Sequence, residues 1–411
     1  MPDTTLIGLS RGGPHLNFLG ALARRLVLAR LASLRDGILR LREGDEVLNF
    51  GTAGAGLDAN LTVLDPAFYA EIAFGGSVGA GESYMLGHWQ TDNLTALMRL
   101  LLRNRHALDA METGLARVSA PLRLAAHWLH RNTRTGSRRN IAAHYDLGND
   151  FFRIMLDETM MYSCALFARP DLTLAEASVF KLDAICRKLA LGPQDHVLEI
   201  GTGWGGFALH AATRYGCRVT TTTISPSQFE LARERVRAAG LEDRVTILLE
   251  DYRDLRGSYD KLVSIEMIEA IGHRQFGEFF RQCAARLVPH GRMLLQSITI
   301  ADRHYAQARD SVDFIKRYIF PGCCIPSVSA LAQAMAEASD LRIVHLEDIG
   351  LHYATTLARW RENFLRNRDA VRALGYSESF MRMWEFYLCY CEAGFAERTL
   401  GDVQMQITRE G

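Results

Sequence analysis

Between residues 195 and 300, short apolar runs alternate with segments of helical period. The runs are DHVLEI (195–200), CRVTTTTI (217–224), VTILLED (245–251), YDKLVSIEMI (259–268) and GRMLLQSITI (291–300). Each is a short apolar run rich in Val, Ile, Leu or Thr, which predicts buried strands. FALHAATRYG (207–216) and SPSQFELARERVRAAG (225–240) read as helices, the second with Ser225 as N-cap and Pro226 at its first position. Alternation of this kind predicts an α/β fold with a doubly wound sheet, whose ligands lie at the carboxyl ends of the strands.

The N-terminal part has a different pattern. Residues 16–42, LNFLGALARRLVLARLASLRDGILRLR, place Leu19, Leu22 and Leu26 at helical spacing among Arg24, Arg25, Arg30, Arg35, Arg40 and Arg42. This predicts an amphipathic basic helix or pair of helices. It would pack on its own domain, or lie on a membrane with its Arg side chains on lipid phosphates. A second run, Leu115–Asn140, carries Arg117, Arg123, Arg131, Arg134, Arg138 and Arg139 with no acid, together with Trp128, a residue favoured at membrane interfaces. Its polar end, NTRTGSRRN (132–140), marks a domain boundary, and a basic linker that binds nothing is the alternative reading of the run.

The chain of 411 residues has room for two or three domains, and 48% hydrophobic with 23% charged residues is a globular composition. A formal net charge of zero gives no bulk electrostatic case for nucleic acid, so no such partner is expected. Charge is unevenly spread: residues 1–140 hold 16 Arg against 12 acids. The eight Cys lack the paired CxxC spacing of a structural zinc site, so no metal is expected and they read as reduced thiols of a cytoplasmic protein. Neither a signal-peptide pattern nor an apolar run of about 18 residues is present, which predicts a soluble or peripheral protein at the inner face of the membrane.

VLEIGTGWGG (197–206) satisfies G-x-G-x-x-G at Gly201, Gly203 and Gly206, the spacing of a dinucleotide loop. Such a fold carries an acid at the end of its second strand for the ribose hydroxyls, and here that strand ends in TTTTISPSQ. Glu199 instead stands two residues before the first glycine, where an anion is unfavourable beside a pyrophosphate but favourable near a sulfonium. With DYRDL (251–255) after the third strand, the loop suits S-adenosylmethionine better than NAD.

AHYDLGNDFF (143–152), MMYSCALF (160–167), the glycine loop, SIEMIEAIG (264–272) and YLCYCEAGFAER (387–398) resemble the cyclopropane-fatty-acyl-phospholipid synthase family, and GSVGAGESYMLGHW (76–89) resembles the N-terminal domain of its full-length bacterial members. The resemblance implies a Rossmann-like methyltransferase sheet over residues 181–300, a linker and helical lid over 131–180, an acyl-pocket cap and sheet completion over 301–411, and a smaller N-terminal α+β domain over 1–130. It also implies transfer of the S-adenosylmethionine methyl to the double bond of an unsaturated phospholipid acyl chain in the membrane. Loss of a proton from the new methyl closes a cyclopropane; a hydride shift before proton loss leaves an exocyclic methylene. Members are often dimers, a use the N-terminal segment would serve instead of, or besides, membrane contact.

By the same resemblance, Tyr162, Ser163, Gly201, Gly203, Thr223 and Gln228 contact the cofactor, with Trp204 either over it or filling the turn. Tyr145, Tyr162, Phe167, Tyr318 and Tyr353 fall in segments like the family's acyl pocket, where aromatic faces attract a cation; of these Tyr353, in HYATTL, matches a family motif. Family members use a bound bicarbonate as base, held by a Cys, a Glu, a His and a Tyr. The matching residues are Cys164, Glu269 and Tyr353, but the His position is Gln296, which donates to an anion and cannot relay a proton. Glu392, in YCEAGF, is an unexpected carboxylate that either assists or replaces bicarbonate or pairs with a nearby Arg. Lys316 and Arg317 either meet a lipid headgroup or are solvated. The competing classes are an NAD-dependent oxidoreductase and a non-enzymatic lipid-binding protein, the second of which leaves the loop and Glu269 without a role.

Overall fold

The computed structural model describes residues 18–52, 56–106 and 147–411, in two compact units, Met1–Ser119 and Ala120–Gly411. The basic run Leu115–Asn140 and Tyr145 lie outside the described residues.

In the first unit, strands β1 (Gly37–Glu43), β2 (Glu46–Thr52), β3 (Asp58–Val63) and β4 (Trp89–Gln90) form a sheet of order β2-β1-β3-β4, accompanied by helices Phe18–Leu31, Ala67–Leu86 and Leu94–Arg103. The basic segment is helical only as far as Leu31. Its continuation forms β1, because Leu39 and Leu41 alternate with Arg40 and Arg42 at the period of a strand and bury one face. Part of the positive charge is also neutralised internally: Arg24 pairs with Glu43 at 2.8 Å and Glu46 at 3.1 Å, and Arg40 with Asp58 at 2.8 Å. The first helix buries Gly20, Ala23, Val27 and Leu31 and exposes Phe18, Leu19, Leu22 and Leu26.

The second unit holds β5 (His196–Ile200), β6 (Arg218–Thr222), β7 (Val245–Leu248), β8 (Tyr259–Ile265), β9 (Leu287–Ile300), β10 (Leu341–Asp348) and β11 (Leu400–Arg409), in the order β10-β11-β9-β8-β5-β6-β7. The pairs from β7 to β9 are parallel, and β11 enters antiparallel between β9 and β10. The five expected strands are therefore present as β5–β9. Strand order reverses beside β5, which puts the carboxyl ends of β5 and β8 together at a switch point.

Above those ends stand a lid and a cap. The lid runs from helix Asn149–Met155 through the extended segment 156–167, and the cap is built on helices Gly350–Arg366 and Glu378–Ala396. Phe151 joins lid to cap through edge contacts with Trp384 (4.9 Å between ring centres) and Phe364 (6.3 Å). Gly206 permits the lid to close on the glycine loop, since a Cβ there would lie 2.7 Å from the Thr159 carbonyl oxygen.

Lys316 neither reaches outward to a headgroup nor is solvated. It is buried, and its ammonium donates to the carbonyl oxygens of Ala308, Arg309 (3.4 Å) and Ser311 (2.8 Å), closing the carboxyl end of helix Asp302–Arg309. Arg317 is exposed, over the Tyr318 ring. Lys316→Ala is expected to lower the unfolding free energy by about 1.5–3 kcal/mol in urea titration, the range for hydrogen bonds to a charged group, and to leave vesicle binding unchanged.

Candidate active site

Positive φ values at Gly201 (105°) and Gly203 (51°) turn the chain sharply after β5. The Gly201 and Thr202 amides donate to the Thr222 carbonyl at 3.1 and 2.9 Å, anchoring the loop to the end of β6. A Cβ on Gly203 would meet nothing within 4 Å, so this face is open to a ligand. Thr223 and Gln228 come together at the end of β6, where the hydroxyl donates to the amide oxygen at 2.9 Å. Trp204 is buried against Phe152 (4.8 Å) and donates its indole N–H to Asn149 at 2.7 Å. It thereby ties the turn to the lid.

Glu199 differs from the expectation of an anion facing the cofactor. Its carboxyl is buried and accepts from the Thr221 hydroxyl at 2.6 Å, with Thr202 on Thr221 at 2.7 Å. Burial pushes it up to about 8, so in this chain it is mainly protonated at neutral pH.

The densest polar cluster lies at the end of β8, around a residue that sequence reasoning passed over. Glu266 Oε1 accepts from the Cys164 amide (2.8 Å) and from Gln296 Nε2 (2.8 Å), while Oε2 accepts from the Tyr353 hydroxyl (2.6 Å). Its φ of 49° is a glycine-like conformation that costs an L-residue about 1–2 kcal/mol. Gln296 also donates to Asp402 at 3.1 Å and accepts from Gln404 Nε2 at 2.9 Å. Gln404 in turn accepts from the Lys188 ammonium. Since an ammonium only donates, Lys188 sets the polarity of both amides and aims the Gln296 N–H groups at the two carboxyls.

Of the residues expected at the reaction, Cys164, Gln296 and Tyr353 therefore gather on Glu266. Burial raises the Cys164 thiol and the Tyr353 phenol well above their usual values, so both stay neutral, and the phenol is a donor. Tyr353 is also stacked on Phe395 at 4.4 Å. Glu269 stands beside the cluster, its Oε1 accepting from Ser297 Oγ (2.9 Å) and the Ile298 amide (2.5 Å), while Oε2 is buried with no hydrogen-bond partner among the described residues. Ser163 accepts from the buried Lys181 ammonium at 2.8 Å, and the Tyr162 and Tyr387 hydroxyls meet at 2.8 Å. Glu392 is on the Arg361 guanidinium at 2.8 and 3.3 Å, which is the ion-pair alternative and not a position on the Glu266 cluster. Phe167 and Tyr318 are half-buried, the latter 5.2 Å from Phe314.

The missed residues each had a signal. Glu266 is the first acid after the apolar run of β8, at the ligand end of a parallel strand. Lys181 falls on the apolar face of helix Leu174–Leu189, with Ala177, Ser178 and Ile185. Asp402 and Gln404 lie on β11, whose apolar residues place it inside the sheet.

Residues 132–405 match the family described as mycolic acid cyclopropane synthetase. The chain belongs to this family. It is 39% identical over 410 residues to the tuberculostearic acid methyltransferase UfaA1 of Mycobacterium tuberculosis, covering 97% of this chain and 93% of that protein. It is 38% identical to the cyclopropane-fatty-acyl-phospholipid synthase of Escherichia coli K12, over 84% of this chain and 86% of that one. In structure it is similar to the mycolic acid cyclopropane synthase CmaA1 complexed with SAH and CTAB, with a TM-score of 0.62 and 31% identity over 66% of this chain and 98% of that chain. The chain is thus an S-adenosylmethionine-dependent C-methyltransferase that acts on fatty acyl chains. The open face at Gly203 leaves room for a ligand beside the glycine loop, and the polar Thr223–Gln228 pair stands at the end of the neighbouring strand.

Burial and the nearby Glu266 charge raise Glu269 from its ordinary 4.5 to about 8. The folded chain therefore holds this proton more tightly than the unfolded chain, and the resulting stability, complete below about pH 4.5, is lost as pH rises through 8. Glu269→Gln keeps an acceptor for Ser297 and Ile298 but does not ionise. Its Tm in the ligand-free protein is expected to fall less than the wild-type Tm between about pH 6 and pH 9.

Proposed function

We propose that this enzyme transfers the methyl of S-adenosylmethionine to the double bond of an unsaturated phospholipid acyl chain and ends in an exocyclic methylene, the precursor of a methyl-branched chain. The observation that carries this choice of product is the 39% identity to a tuberculostearic acid methyltransferase along 97% of the chain, both units included. Gln296, in place of a titratable His, agrees with a site that differs from the cyclopropane-forming members in how the proton leaves. Saturation of a methylene to a methyl branch is a two-electron reduction, so a reductase supplying hydride must follow.

Bound S-adenosylmethionine supplies an electrophilic methyl. The chain's own residues keep water out of the site and surround it with neutral aromatic faces: Tyr353 against Trp360 at 6.0 Å, and Tyr162 against Trp360 at 5.1 Å. Such faces stabilise developing positive charge on the acyl chain.

Access to a lipid fits the first helix, where Phe18, Leu19, Leu22 and Leu26 form an exposed stripe with the exposed Arg25 and Arg30 at its edges. Among the described residues no helix is long and apolar enough to cross a membrane, so contact at the bilayer surface is the reading we favour.

Incubation with S-adenosylmethionine and mono-unsaturated phospholipid vesicles, followed by proton NMR of the released fatty acids, tests the product. Terminal-alkene protons are expected. Shielded ring protons would assign cyclopropanation instead, a distinction that mass alone does not make because the two products are isomers.

A further inference from the structure

We infer that the Glu266 carboxylate is the general base of the methyl transfer, and that the enzyme works without an external carboxylate such as bicarbonate. The inference rests on the proposed transfer to an alkene, and it holds for either product.

The first ground is occupancy. Cys164, Tyr353 and the residue at the His position are the groups expected to hold an anion, and here they hold the side chain of Glu266, with three donors at 2.6–2.8 Å. The donors come from the lid, from β9 and from the cap, so an oxyanion is gripped where these three segments meet the ligand end of β8. A carboxylate with this cage has no need of a second anion beside it, and two negative charges at such range in a buried site repel strongly.

The second ground is backbone conformation. A left-handed φ at Glu266 would be met without strain by glycine, yet the position carries a long acidic side chain. As a residue Glu266 is half-buried, where Cys164, Gln296 and Asp402 are fully buried. Met267, the next residue, has its Cβ 3.2 Å from where a Gly201 Cβ would stand, which brings the base segment against the cofactor loop.

The third ground is elimination. Glu392 is neutralised by Arg361. Asp402 is held protonated by burial and by the Glu266 charge to which it hydrogen-bonds, and Glu269, with its own carboxyl raised, faces Ser297 and Ile298. Burial raises Glu266 as well, but the Tyr353 hydroxyl, the Cys164 amide, the Lys181 ammonium and the Gln296 amide all oppose that rise, so among these acids Glu266 is the one whose contacts are built for a carboxylate.

In the reaction, the alkene pair forms the bond to the methyl carbon while the carbon–sulfur pair leaves with S-adenosylhomocysteine. A hydride then moves from the methyl-bearing carbon to its cationic neighbour. The Glu266 carboxylate takes one proton from the new methyl, and that C–H pair becomes the exocyclic double bond. Without the hydride shift the same proton loss closes a cyclopropane. Glu266 ends as the carboxylic acid and returns its proton to water after product release.

Turnover of the wild type, Glu266→Gln and Glu266→Gly is to be measured in carbon-dioxide-free buffer with and without added bicarbonate, alongside S-adenosylmethionine binding by calorimetry and 13C-bicarbonate binding by NMR. Wild-type turnover is expected to ignore bicarbonate, and the wild type to show no bicarbonate binding. Glu266→Gln is expected to lose at least about 100-fold in turnover with cofactor affinity kept. Glu266→Gly, which suits the left-handed backbone and empties the cage, should bind 13C-bicarbonate and regain turnover when it is added, with circular dichroism confirming the fold. A bicarbonate requirement or bicarbonate binding in the wild type, or near-wild-type turnover in Glu266→Gln, would overturn the inference. A wild type that binds the cofactor but methylates no unsaturated vesicle would overturn the proposed function instead, and the 13C-bicarbonate result would still decide which anion occupies the cage.

Discussion

An ionised carboxylate taken out of water is stable only where donors replace its hydration, and the second unit is organised around meeting that requirement at Glu266. Its donors lie 102, 87 and 30 residues away in sequence, on the lid, the cap helix and β9. None of these segments completes the cage alone, so the lid and cap must be docked before the charge is satisfied. Lys181, its ammonium disfavoured by burial, is held there by donating a hydrogen bond to the Ser163 hydroxyl oxygen and by nearby carboxyls that favour its charge. Breaking one member of such a buried set leaves an uncompensated charge, typically at a cost of about 3–5 kcal/mol.

The same assembly puts two chemical tasks side by side. The glycine loop ends β5 and the Glu266 turn ends β8, and these strands pair in parallel with Glu199 opposite Val263. A cofactor over the loop therefore has the carboxylate of the adjacent strand as its neighbour. Gly206 allows the close approach of the lid, where a Cβ would collide with it, and Gly201 sits so near Met267 that a Cβ would be a tight 3.2 Å from its side chain. Catalysis in such a site depends on dipoles and charges fixed before the substrate arrives.

The departure from His to Gln at position 296 also has a structural account. Lys188 (which also donates to Glu347), Gln404 and Gln296 form a directed chain whose last N–H groups point at Glu266 and Asp402. A neutral donor of fixed polarity suits a permanent carboxylate, whereas a titratable ring would add a second site for the proton that Glu266 is there to take.

Local pattern was enough for the sheet strands, the capped helices, the glycine turn and the family resemblance, because apolar period, Ser-Pro capping and left-handed glycines act within a few residues. It also brought Cys164, Gln296 and Tyr353 into the discussion through their motifs. Pattern misjudged Arg35–Arg42 as helix, since basic residues suit either a helix surface or the outer face of a strand, and the buried Leu39 and Leu41 decide between them. It singled out Glu392 over Glu266, although both were in view, because an unusual acid in a motif does not reveal its partner. Only tertiary structure set Glu392 on Arg361, turned Lys316 inward onto carbonyls, and enclosed Glu266 with groups from three distant segments. Hydrogen bonds and burial of charge depend on distances between residues far apart along the chain, and those distances exist only once the sheet, lid and cap have packed.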